Sequence, residues 1–348
     1  LLYTAKILLT KKFYKTMRKL ATIRTIKELL PIEGADRIEL AIVDSWKVVV
    51  AKGLNVGDEV VYCEIDSFLP IKPEFEFLRK SCYRKLADGQ EGFRLKTITL
   101  KKQISQGLCI PLKELPQLAK NKVGDDVSDI LGIVKYEPPI PANLSGVCKG
   151  NFPTFLKKTD EERVQNLSKE YQEYLASGIN FYATEKLDGS SATFYLKYGE
   201  FGVCSRNLEL KENADNSFWK VARSLDIENK LKKLPYNACL QGELIGEGIQ
   251  GNPYKIKGQD VRFFNLFNID TYELMPIDDL CNFCQDVDLL PVPNYDFILP
   301  KTIDELLLIA EGKSALADVE REGLVIRSPD GKISFKAISN KFLLNELS

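Results

Sequence analysis

The stretch TEKLDGSS, residues 184–191, sets a lysine two places before an aspartate and a glycine, and SATFYL then runs on as a β-type segment. Lys186, Asp188 and Gly189 thereby share one tight turn between two extended segments. So short a pattern would, by itself, be explained by a surface turn. Its company points elsewhere. Downstream follow, in order, SRN (205–207), QGELIGEGIQ (241–250), RFFNLFNI (262–269), REGLVIRS (321–328) and SFKAIS (334–339).

These pieces carry the parts of one site. A lysine amine attacks only when neutral, and at its ordinary pKa it is neutral in roughly one molecule in a thousand near pH 7.4. Recovering that form costs about 4 kcal/mol, which desolvation, neighbouring cations or a metal can supply. Arg206 and Lys336 are the candidate cations, and both could also hold phosphate oxygens. Glu243 lies in a glycine-flanked segment and Glu322 precedes a glycine, so each carboxylate could approach a ligand or hydrated Mg²⁺ closely. Pro329-Asp330-Gly331 makes the last two pieces a hairpin. If residues 328 and 332 pair, Lys336 sits opposite Leu324 with Glu322 as diagonal neighbour, and a one-residue slip separates them. In RFFNLFNI, strict alternation gives Phe263 and Phe267 one face and Phe264 the other, one to stack on a purine and one to fill the core.

Composition narrows the chemistry. The 348 residues include no histidine, which excludes Ser-His-Asp and Cys-His triads and His-ligated metals. No window holds 18 consecutive apolar residues, so a transmembrane helix is not expected. Residues 1–20 carry six basic side chains and no acid, leaving 42 basic against 49 acidic residues elsewhere. Nucleic-acid binding would therefore use a local patch rather than a basic whole-chain surface. The eight cysteines are scattered, and Cys281–Cys284 is the only C-x-x-C. With no second pair they read as free thiols in a reducing cytoplasm.

Residues 1–16 are expected to be an upstream extension outside the fold, with a targeting role as the alternative. Residues 17–136 are β-rich, with short β-branched segments at 38–43, 46–51, 59–65 and 93–100, fitting a small barrel of OB or SH3-like type. Three prolines and a glycine in 137–146 mark a linker, assigned to 137–150. Thr159 and Glu162 have capping-box spacing, and Val164, Leu167, Tyr171 and Leu175 form one stripe, so a helix is expected over 159–177. From 151 to 348 the pattern is a mixed α+β domain.

The ordered set resembles the nucleotidyl motifs of the covalent nucleotidyltransferase superfamily, which comprises polynucleotide ligases and mRNA capping enzymes. GELIGEGIQ-N-x-Y followed by the aromatic strand is similar to ATP-dependent RNA ligases. Only twelve residues follow Lys336, so the small β domain precedes the lysine motif instead of following the last one. That order, with EIDSFLP (64–70), PEFEF (73–77) and ISQGL (104–108), resembles the Naegleria/Deinococcus type of RNA ligase over residues 17–348. The resemblance implies an α+β chain: an N-terminal OB-like β-barrel, then an ATP-grasp-like nucleotidyltransferase domain with antiparallel sheets and flanking helices.

It also implies roles. Lys186 would attack the ATP α-phosphate and form lysyl-AMP. Asp188, Glu243 and Glu322 would arrange hydrated Mg²⁺ or Mn²⁺ and the ribose. Glu185 and Gly189 would adjoin the nucleotide, Arg206 and Arg327 would contact phosphate or sugar, and Phe267 would stack under adenine. Lys336 would steady the α-phosphate, and Lys158 and Arg163 the outgoing pyrophosphate. Related ligases show K-x-K in the last motif, whereas Ala337 and Ile338 follow Lys336 here. Either Lys336 serves alone or Lys332 or Lys341 substitutes. The expected partner is RNA with nicked or broken ends, possibly in an RNA/DNA hybrid, joined by a monomer without a membrane. An RNA guanylyltransferase and a non-catalytic nucleic-acid-binding protein are the alternatives.

Overall fold

Along Trp46–Ala51, positions 46, 48 and 50 are buried and the intervening ones less so, which makes the segment a one-faced strand. The same logic builds a five-stranded antiparallel sheet in the order Leu108–Pro111, Glu59–Cys63, Ala21–Pro31, Ile38–Val43, Trp46–Ala51. A computed structural model describes residues 18–86, 89–136 and 148–345. The chain divides into two compact units between residues 139 and 140. In the first unit, the hairpin Thr97–Leu100/Gln103–Gln106 lies beside Trp46–Ala51, where the Val49 amide donates to Ser105 Oγ at 3.0 Å. This curled sheet closes over Ile23, Val61, Phe75, Phe93 and Leu118.

Two expectations change here. The run 93–100 is two strands: Glu91–Arg94 pairs with Ser67–Pro70 and Tyr83–Lys85, while Thr97–Leu100 belongs to the separate hairpin. The proposed extension at 1–16 lies outside the described residues, as does most of the linker assigned to 137–150. The last part of that linker is not linker: Cys148–Asn151 is a strand paired with Leu208–Leu210.

The second unit is built on two sheets. One has seven antiparallel strands in the order Cys148–Asn151, Leu208–Leu210, Glu200–Cys204, Ser190–Lys197, Ala238–Gly246, Gln259–Asn268, Glu273–Leu274. The other runs Glu162–Arg163, Ser334–Ile338, Gly323–Arg327, Phe181–Lys186, Asn294–Phe297, with Glu162–Arg163 parallel to its neighbour. Each sheet buries one face. Phe194, Leu240, Leu244 and Phe263 of the first pack with Phe218 and Trp219 of the helix Ser217–Ser224, and with Leu280 and Phe283 of the helix Ile277–Asp286. Phe181, Ala183, Leu324, Ile326 and Phe335 of the second meet Tyr171 and the helix Ile303–Ala310. Since paired residues share a face, the opposite faces carry other residues: Tyr195, Cys204, Cys239 and Phe267 of the first form a smaller core with Leu156, and the second carries Thr184, Lys186, Arg327 and Lys336.

The helix expected over 159–177 is confined to Ser168–Ala176. Glu162 and Arg163 form the parallel strand, and Val164–Asn166 is a 3-10 turn. Thr159 and Glu162 form no capping box; Glu162 Oε1 instead accepts from the Arg163 amide and Asn166 Nδ2, each at 2.8 Å. Pairing of Glu162 and Arg163 with Phe335 and Lys336 takes the place of a first helical turn, so tertiary context overrode the local signal. The stripe still reaches the core, with Val164 and Tyr171 fully buried. A capping box does form at Thr302 and Glu305, opening Ile303–Ala310.

Candidate active site

Lys186 is the last residue of Phe181–Lys186 and pairs with Gly323, which in turn pairs with Ile338. In register beside it run Thr184, Val325 and Lys336, then Tyr182, Arg327 and Ser334; Arg163 pairs with Lys336 from the parallel side. These residues share the face opposite the apolar core, so Lys186 and Lys336 emerge on the same side. The hairpin register is one residue off the one considered from sequence. Lys336 faces Val325 rather than Leu324, because Arg327 pairs with Ser334 and the Ser328 amide donates to Ile333 O at 2.9 Å. Lys336 therefore shares a sheet face with Lys186, with the strand Gly323–Arg327 between them, and Glu322 reaches Lys186 from the residue before Gly323.

The contact is close: Lys186 Nζ lies 2.6 Å from Glu322 Oε1. Two glycines allow such approach. A Cβ at Gly323 would lie 2.2 Å from Ala337 O, and one at Gly189 would lie 2.4 Å from Leu244 O and 2.9 Å from Glu243 Cγ. Gly189 thus lets the turn after Lys186 sit against the strand that carries Glu243. The Asp188 amide donates to Tyr254 Oη at 2.7 Å, and Tyr254 is buried against Leu187, Ile245 and Val292.

Burial pulls the Lys186 ammonium towards neutrality, but the carboxylates of Glu322, Glu243 and Asp188 outweigh it and hold its pKa above the ordinary value. The Lys186 amine is therefore charged, the reverse of activation by neighbouring cations. Burial, with Glu322 and Asp188 close by, pushes Glu243 up to about 8, against the pull of Lys186 and Arg206. Three carboxylates around one ammonium leave negative charge in excess, and a divalent cation fits that excess. Among the described residues, no three Asp, Glu, Cys or His side chains converge closely enough to chelate one ion directly. Asp188, Glu243 and Glu322 thus suit an ion held through its own water molecules rather than one bound by all three.

Other expected residues sit differently. Arg206 is half-exposed and pairs with Asp160 at 2.6 Å. Glu185 is 2% exposed and its carboxylate accepts from Ser314 Oγ and from the Ala315 amide, pinning that loop to the strand Phe181–Lys186 from the core side. Arg327 is 3% exposed and joins the two sheets: its Nε donates to Ser334 Oγ, Nη1 to Phe264 O and Asn265 Oδ1, and Nη2 to Glu161 Oε1. With these acceptors in hand it is an internal cross-link, not the phosphate or sugar contact expected. Phe267 is also not open to a base. It is 1% exposed beneath Leu156 and beside Tyr195, and Tyr272 meets it edge-on.

The reason is a β-bulge. Gln241 pairs with Asn265 but Gly242 with Phe263, so Phe264 is an extra residue and the alternation shifts phase. Phe263 and Phe267 consequently occupy opposite faces. The partly exposed Phe264 packs with Leu187, Ile245 and Tyr254, next to the turn after Lys186.

Lys158 donates to Asn207 Oδ1 at 3.1 Å and lines a pocket with Lys157, Asp160, Glu161, Lys332 and Ser334. Arg163 is buried. Lys332 pairs with Asp330 on the hairpin turn, and Lys341 with Glu311 on the helix Asn340–Asn345, so neither stands with Lys336 on its strand face. All eight cysteines are free. Among the described residues no helix is long and apolar enough to cross a membrane.

The sequence motif N-x-Y contains Tyr254 but gave it no role, and Arg262 and Glu161 were passed over. Arg262 pairs with Glu243 across the strands and contacts Asp260. Tyr254 had a usable signal: one aromatic residue after Gly251-Asn252-Pro253, in an otherwise polar segment.

Comparison with known proteins agrees with this layout. An OB-fold domain family matches residues 20–112 and the RNA ligase family matches residues 179–340. Among solved structures, a mutant of Naegleria gruberi RNA ligase with AMP and Mn is 46% identical, with a TM-score of 0.89 over 94% of this chain and 98% of that one. The same ligase with PPi is 46% identical over the same shares of the two chains, with a TM-score of 0.88. A further mutant with ATP and Mn is 45% identical, at a TM-score of 0.87 over 93% and 97%. Comparison with curated proteins gave no match.

Proposed function

The chain belongs to the RNA ligase family, as an ATP-dependent enzyme, and we propose that it joins RNA 3′-OH and 5′-phosphate ends through a lysyl-AMP on Lys186. The observation that carries this reading is the Lys186 ammonium held 2.6 Å from Glu322 on the open face of a sheet, with Glu243 and Asp188 in electrostatic contact. A ligase needs one amine placed to attack a phosphorus, beside acids that can take its proton and hold a cation.

In the first step a bond forms between Lys186 Nζ and the ATP α-phosphorus, and the bond to pyrophosphate breaks. Glu322 Oε1 is the acceptor placed to take the Nζ proton. Lys336, on the same face, steadies the α-phosphate as charge builds there. Asp188, Glu243 and Glu322 would hold a hydrated Mg²⁺ or Mn²⁺, which when bound supplies positive charge to the phosphates and loosens the lysine's hold on its proton. Phe264, rather than Phe267, is the aromatic wall for adenine, and Lys158 and Arg163 receive pyrophosphate. The AMP then moves from Nζ to an RNA 5′-phosphate, and a 3′-OH displaces it to make the phosphodiester. The ATP, AMP and PPi complexes of the Naegleria relative support this order of ligands.

The OB unit holds nucleic acid through a local basic and aromatic groove. The protein works as a monomer in the cytoplasm, where its free thiols stay reduced. It accepts an RNA strand paired to either RNA or DNA.

Incubation with ATP or GTP labelled at the α-phosphate tests the chemistry. A covalent adduct is expected with ATP alone, and none in Lys186→Ala. A GTP adduct would favour a capping-type enzyme, and an adenylated protein that never joins a nick would overturn the substrate assignment.

A further inference from the structure

The loop 247–258, between Ala238–Gly246 and Gln259–Asn268, is tightly built for a surface connection. Its ends are joined where the Glu247 amide donates to Gly258 O at 2.7 Å. Asn252 brackets its centre: Nδ2 donates to Ile256 O at 2.9 Å while Oδ1 accepts from the Ile256 amide at 3.0 Å. Three non-glycine residues, Gln250, Asn252 and Lys255, are held at φ of 44°, 51° and 53°. Side chains seldom adopt that left-handed region, and it persists where surrounding structure fixes it for a use.

The loop is strapped to the active site. Tyr254 is 5% exposed, and its hydroxyl oxygen accepts a hydrogen bond from the amide of Asp188, two residues from Lys186. Ile256 packs on the same apolar cluster as Tyr254. The residues interleaved with these anchors, Lys255 and Lys257, are exposed. Among the described residues neither forms an ion pair, so both ammonium groups are available to an anion. Since consecutive Cα atoms are about 3.8 Å apart, Lys255 follows directly on the residue that holds the catalytic turn. Two exposed lysines two residues apart, carried on a backbone that is anchored to the turn at Asp188, suit an anion of extended shape.

We propose that Lys255 and Lys257 bind successive phosphates of the RNA strand whose 5′-end receives AMP, and so register that end over Lys186. This rests on the ligase reading and adds to it the place where the 5′-phosphorylated strand is held. The RNA backbone is favoured over the ATP phosphates because Lys336 and the carboxylate cluster already face the nucleotide from the sheet, whereas these two lysines stand outside it on the loop.

The double variant Lys255→Ala/Lys257→Ala separates the two. Self-adenylation with ATP in the absence of RNA should stay within twofold of the unsubstituted protein, which also shows that the variant folds. Binding of a 5′-phosphorylated RNA nick, followed by fluorescence anisotropy, should weaken at least fivefold. The slope of log affinity against log salt should shrink by about 1.5, as expected for two lost phosphate contacts. Lys255→Arg/Lys257→Arg should restore both. Unchanged RNA affinity and salt slope would overturn the proposal, as would a raised KM for ATP with RNA binding intact. If the unsubstituted protein fails to adenylate itself, the ligase reading falls, and the anisotropy comparison still decides this one.

Discussion

Replacing Arg327 by alanine distinguishes an internal cross-link from a nucleotide contact. Its guanidinium has four acceptors, Ser334 Oγ at 3.0 Å, Phe264 O at 3.1 Å, Asn265 Oδ1 at 2.7 Å and Glu161 Oε1 at 2.8 Å, and they lie on three separate stretches of chain. Arg327 is 3% exposed and Glu161 17% exposed, so truncation strands a largely buried carboxylate. Breaking such a pair from one side costs about 3–5 kcal/mol. The orphaned Phe264 carbonyl and Asn265 amide oxygen keep the loss in the upper part of that range. For a unit of this size each kcal/mol lowers Tm by about 2–4 °C, so a fall of about 8–16 °C is expected. Trp219 lies in the ligase unit and Trp46 in the other. A Trp46→Phe background therefore makes Trp219 fluorescence the reporter of the relevant transition. Below both melting points the KM for ATP should change little. Arg327→Lys should recover little stability, since one ammonium cannot span four acceptors. A loss under about 1 kcal/mol together with a large rise in KM for ATP would refute the cross-link and restore the phosphate contact.

Glu243 gives a pH signature. Below the ordinary carboxylate range it is protonated in both folded and unfolded chains. Between that range and about 8 the unfolded chain loses the proton while the folded one keeps it, so stability falls as pH rises. The slope is at most about 1.4 kcal/mol per pH unit. Urea midpoints between pH 5.5 and 8 should show this decline and Glu243→Gln should flatten it; an equal decline in the variant would locate the effect elsewhere. Adding Mg²⁺ at pH 7 in weak buffer should release protons from the parent protein and fewer from the variant. Gly323→Ala puts a methyl 2.2 Å from Ala337 O, against backbone that cannot move without parting the strands. A loss of about 1–3 kcal/mol and at least tenfold slower adenylation are expected; a rate within twofold would mean that this close approach does not seat Glu322.

Much of the chemistry was legible in the residue order. A histidine-free chain with a lysine, an aspartate and a glycine in one turn, two glycine-flanked glutamates and a late lysine allows few reactions, and the structure gathers Lys186, Asp188, Glu243 and Glu322. The strands at 38–43 and 46–51 appear with those bounds, because alternation within a one-faced strand is a local property. Ala21–Pro31, central in its sheet, was not legible: Ile23, Ile26, Leu29 and Leu30 are spaced as on a helix, and a register shift between Ile26 and Glu28 breaks the alternation.

What sequence by itself determined is which groups are present and which must lie in one tight turn, since those follow from residue type and a few covalent bonds. Only the tertiary structure decided which way they face. The bulge at Phe264 sends Phe263 and Phe267 to opposite sides, the one-residue slip of the last hairpin sets Lys336 against Val325, and Arg327 turns inward to tie two sheets together. A strand repeats every two residues, so a single inserted or shifted position reverses every side chain beyond it. That choice is made by pairing partners distant in the chain.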